Sequence, residues 1–382
     1  MKAGIVKPID GGMIRAVASP AQVHRALLCA SLCDKETYIE CNEMPDDIMA
    51  TVGSLNGQGA KIRYDGSGFE VIPVEIPTSR IKVKTNSMVR NSKLYRLPGD
   101  VAYQSITGLL LTLPISNEDS AIEVEGIEEY RSYIDMTIDT LEMFGVKIER
   151  KASDDGGAVY KIAGGQKYIS PGVVKPEGDW TSASVWLCAA AIYGSGVICT
   201  NLNRYSRQGD KEIVNILERF GAITSYRGDS VAVRRARLRS IRIDAAETPE
   251  LVPMLAVVAA AAEGQTVIYN AERVRLNESG ILNKVSTILN ALGAGVIENR
   301  DGLIIRGKPS LEGGLVSSLG DHRIAMMTAI ASGVCEDAVA ITDAEAVSSS
   351  YPDFFDDFEK LGGKVTRGME SRGKERRTRT LY

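Results

Sequence analysis

One short segment of the sequence combines a carboxylate, an imidazole and a guanidinium at the start of an apolar stretch. It reads Gly320-Asp-His-Arg323 and continues as Ile-Ala-Met. A helix that begins here would offer unpaired backbone N–H groups and the positive end of its dipole, and Arg323 would add a positive charge. The segment therefore predicts an anion-binding site that includes Asp321, His322 and Arg323. The structural alternative is that Asp321 caps the helix and Arg323 pairs with it on the surface.

Two other segments place charged residues at comparable positions. Glu247 and Glu250 begin a second apolar stretch, and residues 273–279 (Arg-Val-Arg-Leu-Asn-Glu-Ser) precede an amphipathic one. If the chain is built from units that pack around a common axis, their buried helices are parallel and their N-termini point to one face. Carboxylates and arginines from three separate units would then converge on that face.

These segments belong to a unit that repeats along the chain. Each copy contains an amphipathic helix followed by a strand that a glycine introduces, and the later copies are roughly seventy residues apart. The glycines are Gly59, Gly145, Gly221, Gly293 and Gly362. In the clearest copy, apolar helix, strand, amphipathic helix and two strands are expected near residues 250–262, 266–269, 280–292, 294–298 and 303–306. The pattern predicts an α/β fold of repeated βαβαββ units whose first helices are buried on most sides.

Composition is that of an ordinary globular chain. With 382 residues, of which 44% are hydrophobic and 25% charged, the chain can bury substantial cores, and two domains are predicted. The formal net charge of −4 argues against a nucleic-acid partner. No apolar run is long enough to span a membrane, and the N-terminus lacks the apolar core of a signal peptide. We therefore expect a cytoplasmic protein without a membrane partner.

Cysteine usage gives no sign of a metal site. The six cysteines are scattered without a CxxC pair, and the chain has only two histidines. This distribution favours buried, reduced thiols over zinc ligands, and neither a metal nor a cofactor is expected. The last segment, residues 366–382, is basic and lacks apolar periodicity, so a disordered tail is predicted there.

Six motifs make the chain similar to the 5-enolpyruvylshikimate-3-phosphate synthase family, also called 3-phosphoshikimate 1-carboxyvinyltransferases. They follow the family's order and lie at residues 133–139, 208–210, 249–255, 275–279, 321–326 and 350–355. The resemblance covers nearly all of residues 1–365. It implies two lobes of βαβαββ units, an inside-out α/β barrel architecture, closing over a cleft where phosphoenolpyruvate and shikimate 3-phosphate meet. It also implies carboxyvinyl transfer in aromatic amino acid biosynthesis.

The repeat spacing implies five units instead of the family's six. The first lobe is predicted at 15–168, with two units and a short remnant of the missing unit at 74–95. The second lobe is predicted at 169–365 plus 1–14, with three units. Buried helices near Gln22–Leu32 and Ser105–Leu113 would then lack one neighbour and expose apolar surface. We predict that this surface is covered in one of two ways. Either a second subunit covers it, which makes the protein a homo-oligomer, or the remnant folds back over it.

Site residues follow from the resemblance, position by position. It implies that Glu250 and Glu278 act as acid and base across an enol double bond, with His322 as a further catalytic group. It implies substrate binding by five residues. These are Arg25, Gln104, Arg131, Asp321 and Arg323.

Several positions that hold an anion ligand in the family have changed here. The replacing residues are Pro20, Ala102, Tyr103, Tyr130, Asn277, Ile281 and Ser349. Each charge-assisted contact contributes about 1.5–3 kcal/mol, so losing several of them weakens anion binding more than helix dipoles restore. Three interpretations stay open on the sequence alone. The chain is a transferase acting on shikimate 3-phosphate, a divergent enzyme with a less anionic substrate, or a non-catalytic binding protein on the same scaffold.

Overall fold

The computed structural model describes residues 1–75, 94–98, 103–125, 131–154, 156–246, 248–272 and 280–368. Several sequence-based predictions lie outside these residues. They concern Glu247, Glu278 and the rest of 273–279, Ala102, Tyr130, most of the remnant at 74–95, and the tail beyond Gly368. Everything below refers to the described residues.

The described helices and strands alternate along the chain. The helices are α1 (Pro20–Ser31), α2 (Asp46–Gly57), α3 (Tyr103–Thr112), α4 (Arg131–Met143), α5 (Trp180–Ile192), α6 (Ile213–Phe220), α7 (Val252–Ala261), α8 (Ile281–Ala291), α9 (His322–Ala331) and α10 (Phe354–Lys360). The strands are β1 (Lys2–Lys7), β2 (Gly12–Arg15), β3 (Thr37–Glu40), β4 (Lys61–Tyr64), β5 (Gly68–Ile72), β6 (Leu94–Pro98), β7 (Ser120–Glu125), β8 (Ile148–Ala152), β9 (Ala158–Ile162), β10 (Val173–Val174), β11 (Val197–Thr200), β12 (Ile223–Arg227), β13 (Ser230–Arg234), β14 (Arg242–Asp244), β15 (Gln265–Tyr269), β16 (Gly295–Asn299), β17 (Gly302–Arg306), β18 (Gly314–Ser317), β19 (Val339–Thr342) and β20 (Lys364–Gly368).

Within the described residues the strands form five sheets of four strands each. Their orders are β10-β3-β5-β4, β6-β7-β9-β8, β2-β11-β13-β12, β14-β15-β17-β16 and β18-β19-β1-β20. In every sheet the first pair is parallel and the next two pairs are antiparallel. A parallel pair needs a crossover connection, whereas antiparallel neighbours need only a turn. The predicted α/β class and βαβαββ order are therefore confirmed.

The glycines that the sequence marked as junctions have a common backbone conformation. Gly59, Gly145, Gly221, Gly293 and Gly362 all have positive φ, between 78° and 109°. Each follows the end of a helix, where a left-handed residue lets the chain leave the helix and start the next strand. The helix-to-strand junction is therefore the same structural device in all five copies.

Two hydrophobic cores are present, and they divide the chain. One core contains residues up to Val17 and from Trp180 onwards, and the other contains residues from Val23 to Val174. The predicted boundaries at 14/15 and 168/169 are therefore displaced. The reason is strand exchange, because β2 pairs with β11 while β10 pairs with β3. We keep the division into two lobes as a proposal, with the chain crossing after Val17 and after Val174.

The first helices of the second-lobe units are apolar on all sides, as predicted. In α7 nine of ten residues are buried, and in α9 every residue from Ile324 to Ala331 is buried. The predicted helix from Glu250 begins differently, with a 3-10 turn at Pro249–Leu251 before α7. Prolines at 249 and 253 explain this start, since proline fits the first turn of a helix but not its interior.

One expectation needs correction. The tail prediction is wrong for residues 366–368, because β20 extends to Gly368 and pairs with β1, with Arg367 opposite Ala3.

The apolar faces of α1 and α3 are not open to solvent, since no large hydrophobic side chain of either helix is exposed. The exposed positions of α3 are Gln104, Ser105 and Gly108, which are polar or small. Most of the remnant lies outside the described residues, so its folding back and a covering second subunit both stay predictions.

Among the residues described, no helix has the length and apolar character needed to cross a bilayer.

Candidate functional site

The first group of candidate residues lies at the N-terminus of α9. Asp321 is its N-cap, and its carboxylate accepts the backbone N–H of Arg323 at 3.1 Å. The Arg323 guanidinium folds back on the same carboxylate, with Nε to Oδ1 at 3.1 Å and Nη2 to Oδ2 at 3.0 Å. Its Nη1 donates to Glu250 Oε2 at 3.0 Å. The predicted convergence of the two units is thus confirmed for Glu250 and Arg323.

This cluster is nearly buried, unlike the surface pair of the structural alternative. The Arg323 side chain is 11% exposed and that of Glu250 is 24% exposed. Lys284, from the first turn of α8, donates from Nζ to Asp321 Oδ2 at 3.1 Å. Burial raises the pKa of Asp321, but hydrogen bonds and charge from Arg323 and Lys284 outweigh it and bring the pKa to about 2. Asp321 is therefore a carboxylate throughout the physiological pH range.

His322 is oriented by the 3-10 turn at Ala344–Ser349. Its Nδ1 lies 3.1 Å from Ser349 Oγ, and the Ser349 hydroxyl donates to the carbonyl of Ala346 at 2.9 Å. With its proton donated to Ala346, the Ser349 oxygen is placed to accept a hydrogen bond from His322 Nδ1. The neighbouring Ser348 donates to Asp46 of the first lobe at 3.1 Å. This side of the cluster therefore lies against the other lobe.

Arg25 occupies a different environment in the first lobe. Its side chain lies among residues of α1 and α4 and the residue is only 7% exposed. Nε donates to Thr137 Oγ1 at 2.8 Å, Nη1 to the Ala21 carbonyl at 2.7 Å and Nη2 to the Tyr133 carbonyl at 3.1 Å. All three acceptors are neutral. No carboxylate of the described residues forms an ion pair with Arg25, so its buried charge is not balanced by an anion of that part of the chain.

Tyr133 connects the Arg25 region with the second lobe. Its ring stacks on that of Tyr103, with the centroids 4.6 Å apart and the planes at 22°. Burial raises the pKa of Tyr133 well above its usual value, and the charges of Asp210 and Glu250 raise it further. Because those carboxylates belong to the second lobe, the Tyr133 phenol faces it. Burial also raises the pKa of Asp210 to about 7, against the effect of a hydrogen bond from Thr181.

The remaining predicted residues are less closely associated with the cluster. Gln104 is exposed near the start of α3. Arg131 is 55% exposed, with Nε 3.4 Å from Asp135 Oδ2 on the same helix. Glu278 lies outside the described residues.

Two members of the group could not be identified from the sequence. These are Lys284, which contacts Asp321, and Ser349, which contacts His322. Lys284 stands three residues after Ile281, and its only sequence signal is a cation in the first turn of a helix, where cations are unfavourable. Ser349 was noted only as a lost lysine. The arrangement can hold an anion between Arg323 and Lys284 and move protons through Glu250 and His322.

Comparison with known families gives one extensive match. The sequence profile of the EPSP synthase (3-phosphoshikimate 1-carboxyvinyltransferase) family matches residues 67–358. A 3-phosphoshikimate 1-carboxyvinyltransferase of Clostridium perfringens is 34% identical, with the match covering 95% of this chain and 99% of the relative. The protein of that name from Clostridium acetobutylicum is 35% identical, with coverages of 93% and 96%.

The alignment with one relative is longer than this chain. The alignment with the C. perfringens relative extends over 425 positions, whereas this chain has 382 residues. The relative therefore has residues at positions where this chain has none.

Solved structures share the fold at low identity. An EPSP synthase from Acinetobacter baumannii superposes with a TM-score of 0.69 at 17% identity, covering 96% of this chain and all of that one. The enolpyruvyl transferase NikO from Streptomyces tendae gives a TM-score of 0.72 at 15% identity, covering 96% and 98%. At these identities the likeness concerns the fold alone.

Proposed function

Because the chain belongs to the EPSP synthase (3-phosphoshikimate 1-carboxyvinyltransferase) family, we propose that it transfers the carboxyvinyl group of phosphoenolpyruvate to the 5-hydroxyl of shikimate 3-phosphate. The observation that carries this proposal is the contact of Arg323 with Glu250 at 3.0 Å. It brings an anion-binding cation and a proton-transferring carboxylate from different units to one place. Phosphoenolpyruvate needs both, because it carries two anionic groups and reacts by proton addition and loss.

The reaction can be written as addition followed by elimination. A proton is added to the methylene carbon of phosphoenolpyruvate, and the acceptor oxygen bonds to the carbon that carries the phosphate while its own proton passes to a base. Inorganic phosphate then leaves, and the new methyl group loses a proton to restore the double bond. We assign these transfers to Glu250 and Glu278, with His322 as a further acid or base.

Anion binding is assigned to both lobes. Arg323 is the proposed ligand of phosphoenolpyruvate, and Asp321 holds its guanidinium in place. Arg25, whose buried charge has no carboxylate partner among the described residues, is the proposed ligand of shikimate 3-phosphate, with Gln104 and Arg131 at the rim. These roles, a cytoplasmic location and a homo-oligomer remain predictions.

The test is phosphate release from phosphoenolpyruvate and shikimate 3-phosphate by the purified protein, with the organic product identified by mass. We expect release only when both substrates are present. E250Q and E278Q should lose most of the turnover, whereas E263Q, at an exposed carboxylate paired with Arg237 at 2.8 Å, should retain it. Phosphate release without the acceptor, or equal turnover in all variants, would contradict the proposal.

A further inference from the structure

The anion site contains a second cation, Lys284, whose charge lies beside that of Arg323. Lys284 Nζ and Arg323 Nη2 both donate to Asp321 Oδ2, at 3.1 Å and 3.0 Å. Because both bond the same oxygen, the two nitrogens are close enough for one phosphate or carboxylate group to contact both. Two convergent cations form a stronger anion site than either one alone.

Neither cation stabilises its own helix. Arg323 is the second residue of α9 and Lys284 the fourth residue of α8. Positive side chains in the first turn oppose the helix dipole, whose positive end lies there. For a bound anion, however, the two side chains and the two helix N-termini all contribute attraction. The placement is thus unfavourable for helix stability and favourable for binding an anion.

The two cations differ in how firmly they are held. Arg323 donates to Asp321 from its backbone N–H, Nε and Nη2 and also bonds Glu250. Among the described residues, Lys284 bonds one side-chain oxygen, and it has a flexible four-carbon stem and a side chain that is 20% exposed. If its ammonium moves away, Asp321 keeps three donors from Arg323. Lys284 can therefore exchange its partner at little cost, whereas Arg323 cannot.

We propose that Lys284 is a ligand of phosphoenolpyruvate. When the substrate binds, the ammonium leaves Asp321 and bonds the phosphate or the carboxylate of phosphoenolpyruvate, while Arg323 keeps Asp321 in place. This inference rests on the proposed function for the identity of the anion. Lys284 is then the cation of the site that changes its partner when substrate binds, and the sequence alone did not indicate this role.

The test compares neutral and charged substitutions of Lys284 in the full chain. We expect K284M and K284Q to raise the KM for phosphoenolpyruvate by about 10-fold or more, with a much smaller change in kcat and in the KM for the acceptor. K284R should stay close to wild type. The matched control is K360M, which removes an exposed lysine paired with Asp357 at 2.7 Å on α10. An unchanged KM for phosphoenolpyruvate in K284M and K284Q would overturn the inference.

A binding measurement separates this inference from the proposed function. If the wild-type protein does not transfer the carboxyvinyl group, the proposed function fails, and inorganic phosphate then serves as the probe. A phosphate-dependent rise in melting temperature that K284M and K284Q lose, while K360M keeps it, supports Lys284 as an anion ligand. An equal rise in all variants, or none in the wild type, overturns it.

Discussion

Two arginines, one from each lobe, are almost equally buried but have opposite surroundings. Arg25 donates only to neutral oxygens, those of Thr137, Ala21 and Tyr133. Arg323 donates to two carboxylates, those of Asp321 and Glu250. Burying a charge is costly unless an opposite charge or hydrogen bonds compensate for it. Within the described residues, the charge of Arg323 is therefore balanced by carboxylates and that of Arg25 is not.

The two environments predict different contributions of Arg25 and Arg323 to folding and to binding. Burial lowers the pKa of Arg25, which shows that its charged form is held at a cost. An anionic ligand would relieve that cost, so Arg25 should matter more for binding than for folding. Arg323 balances the charge of two carboxylates, Asp321 and Glu250, so it should matter for folding as well as for binding.

The largest effect is expected from R323M. Removing the guanidinium leaves Asp321 with Lys284 and the backbone N–H of residue 323, and it removes a partner of Glu250, so the free energy of unfolding should fall by about 3–5 kcal/mol. Urea unfolding measures this. The matched control is R367M, because Arg367 also contacts two carboxylates, Asp356 and Glu359, but is 40% exposed. It should lose no more than about 1 kcal/mol. Equal losses in the two variants would contradict the comparison.

R25M should weaken substrate binding more than it lowers the free energy of unfolding. The substitution removes the hydrogen bonds of Arg25, which lowers stability, but it also removes the cost of burying the Arg25 charge. We therefore expect the free energy of unfolding to fall by about 1–2 kcal/mol, less than in R323M. The KM for shikimate 3-phosphate should rise by about 10-fold or more. R204M is the control, because Arg204 contacts only the rings of exposed Tyr205 and Tyr226 in the interactions described. A stability loss in R25M as large as in R323M would break the comparison.

The acid dependence of stability should also separate the two regions. The pKa of Asp321 is about 2 in the folded chain, below its ordinary value of 3.8, so its contribution is complete above about pH 4 and is lost as the pH falls towards 2. D321N should show a shallower decline in unfolding free energy across this window than the wild type. R25M should decline as steeply as the wild type, since no carboxylate in the described part of the chain pairs with Arg25. Parallel curves for D321N and the wild type would refute this prediction.

The smallest effect is expected from S349A. It removes the acceptor of His322 Nδ1, so the neutral ring should populate both tautomers while stability changes by less than about 1 kcal/mol. The chain has only two histidines, so ¹⁵N NMR of the imidazoles can be assigned with H24N. We expect the His322 nitrogen shifts to move towards each other in S349A. Unchanged shifts would show that Ser349 does not fix the tautomer.

Much of the fold could be predicted because it depends on local patterns that recur. The five junction glycines and the alternation of apolar helix and strand gave the unit and its order. The strand exchange between lobes could not be predicted, because β2 and β10 are short and carry no signal for the distant partner that they pair with.

The site was predicted in part for a related reason. Glu250 and Arg323 could be placed together because parallel buried helices align their N-termini. The burial of Arg25 among neutral oxygens depends on the packing of α1 against α4, which no spacing in the sequence specifies. Lys284 lies on α8 and contacts Asp321 at the start of α9. From the sequence, a single lysine on an amphipathic helix is expected at the surface, so this contact could not be predicted.

The position of β1 has a consequence for how the chain assembles during synthesis. β1 is made first, yet it lies between β19 and β20, which are made last. The described strands of the first lobe all end by Val174, so that lobe can fold while the ribosome is still producing most of the second. The N-terminal strand must then wait, unpaired, for nearly the whole of translation. We expect amides of β9 to gain protection before those of β1 in pulse-labelled hydrogen exchange, and the reverse order would exclude this sequence of events.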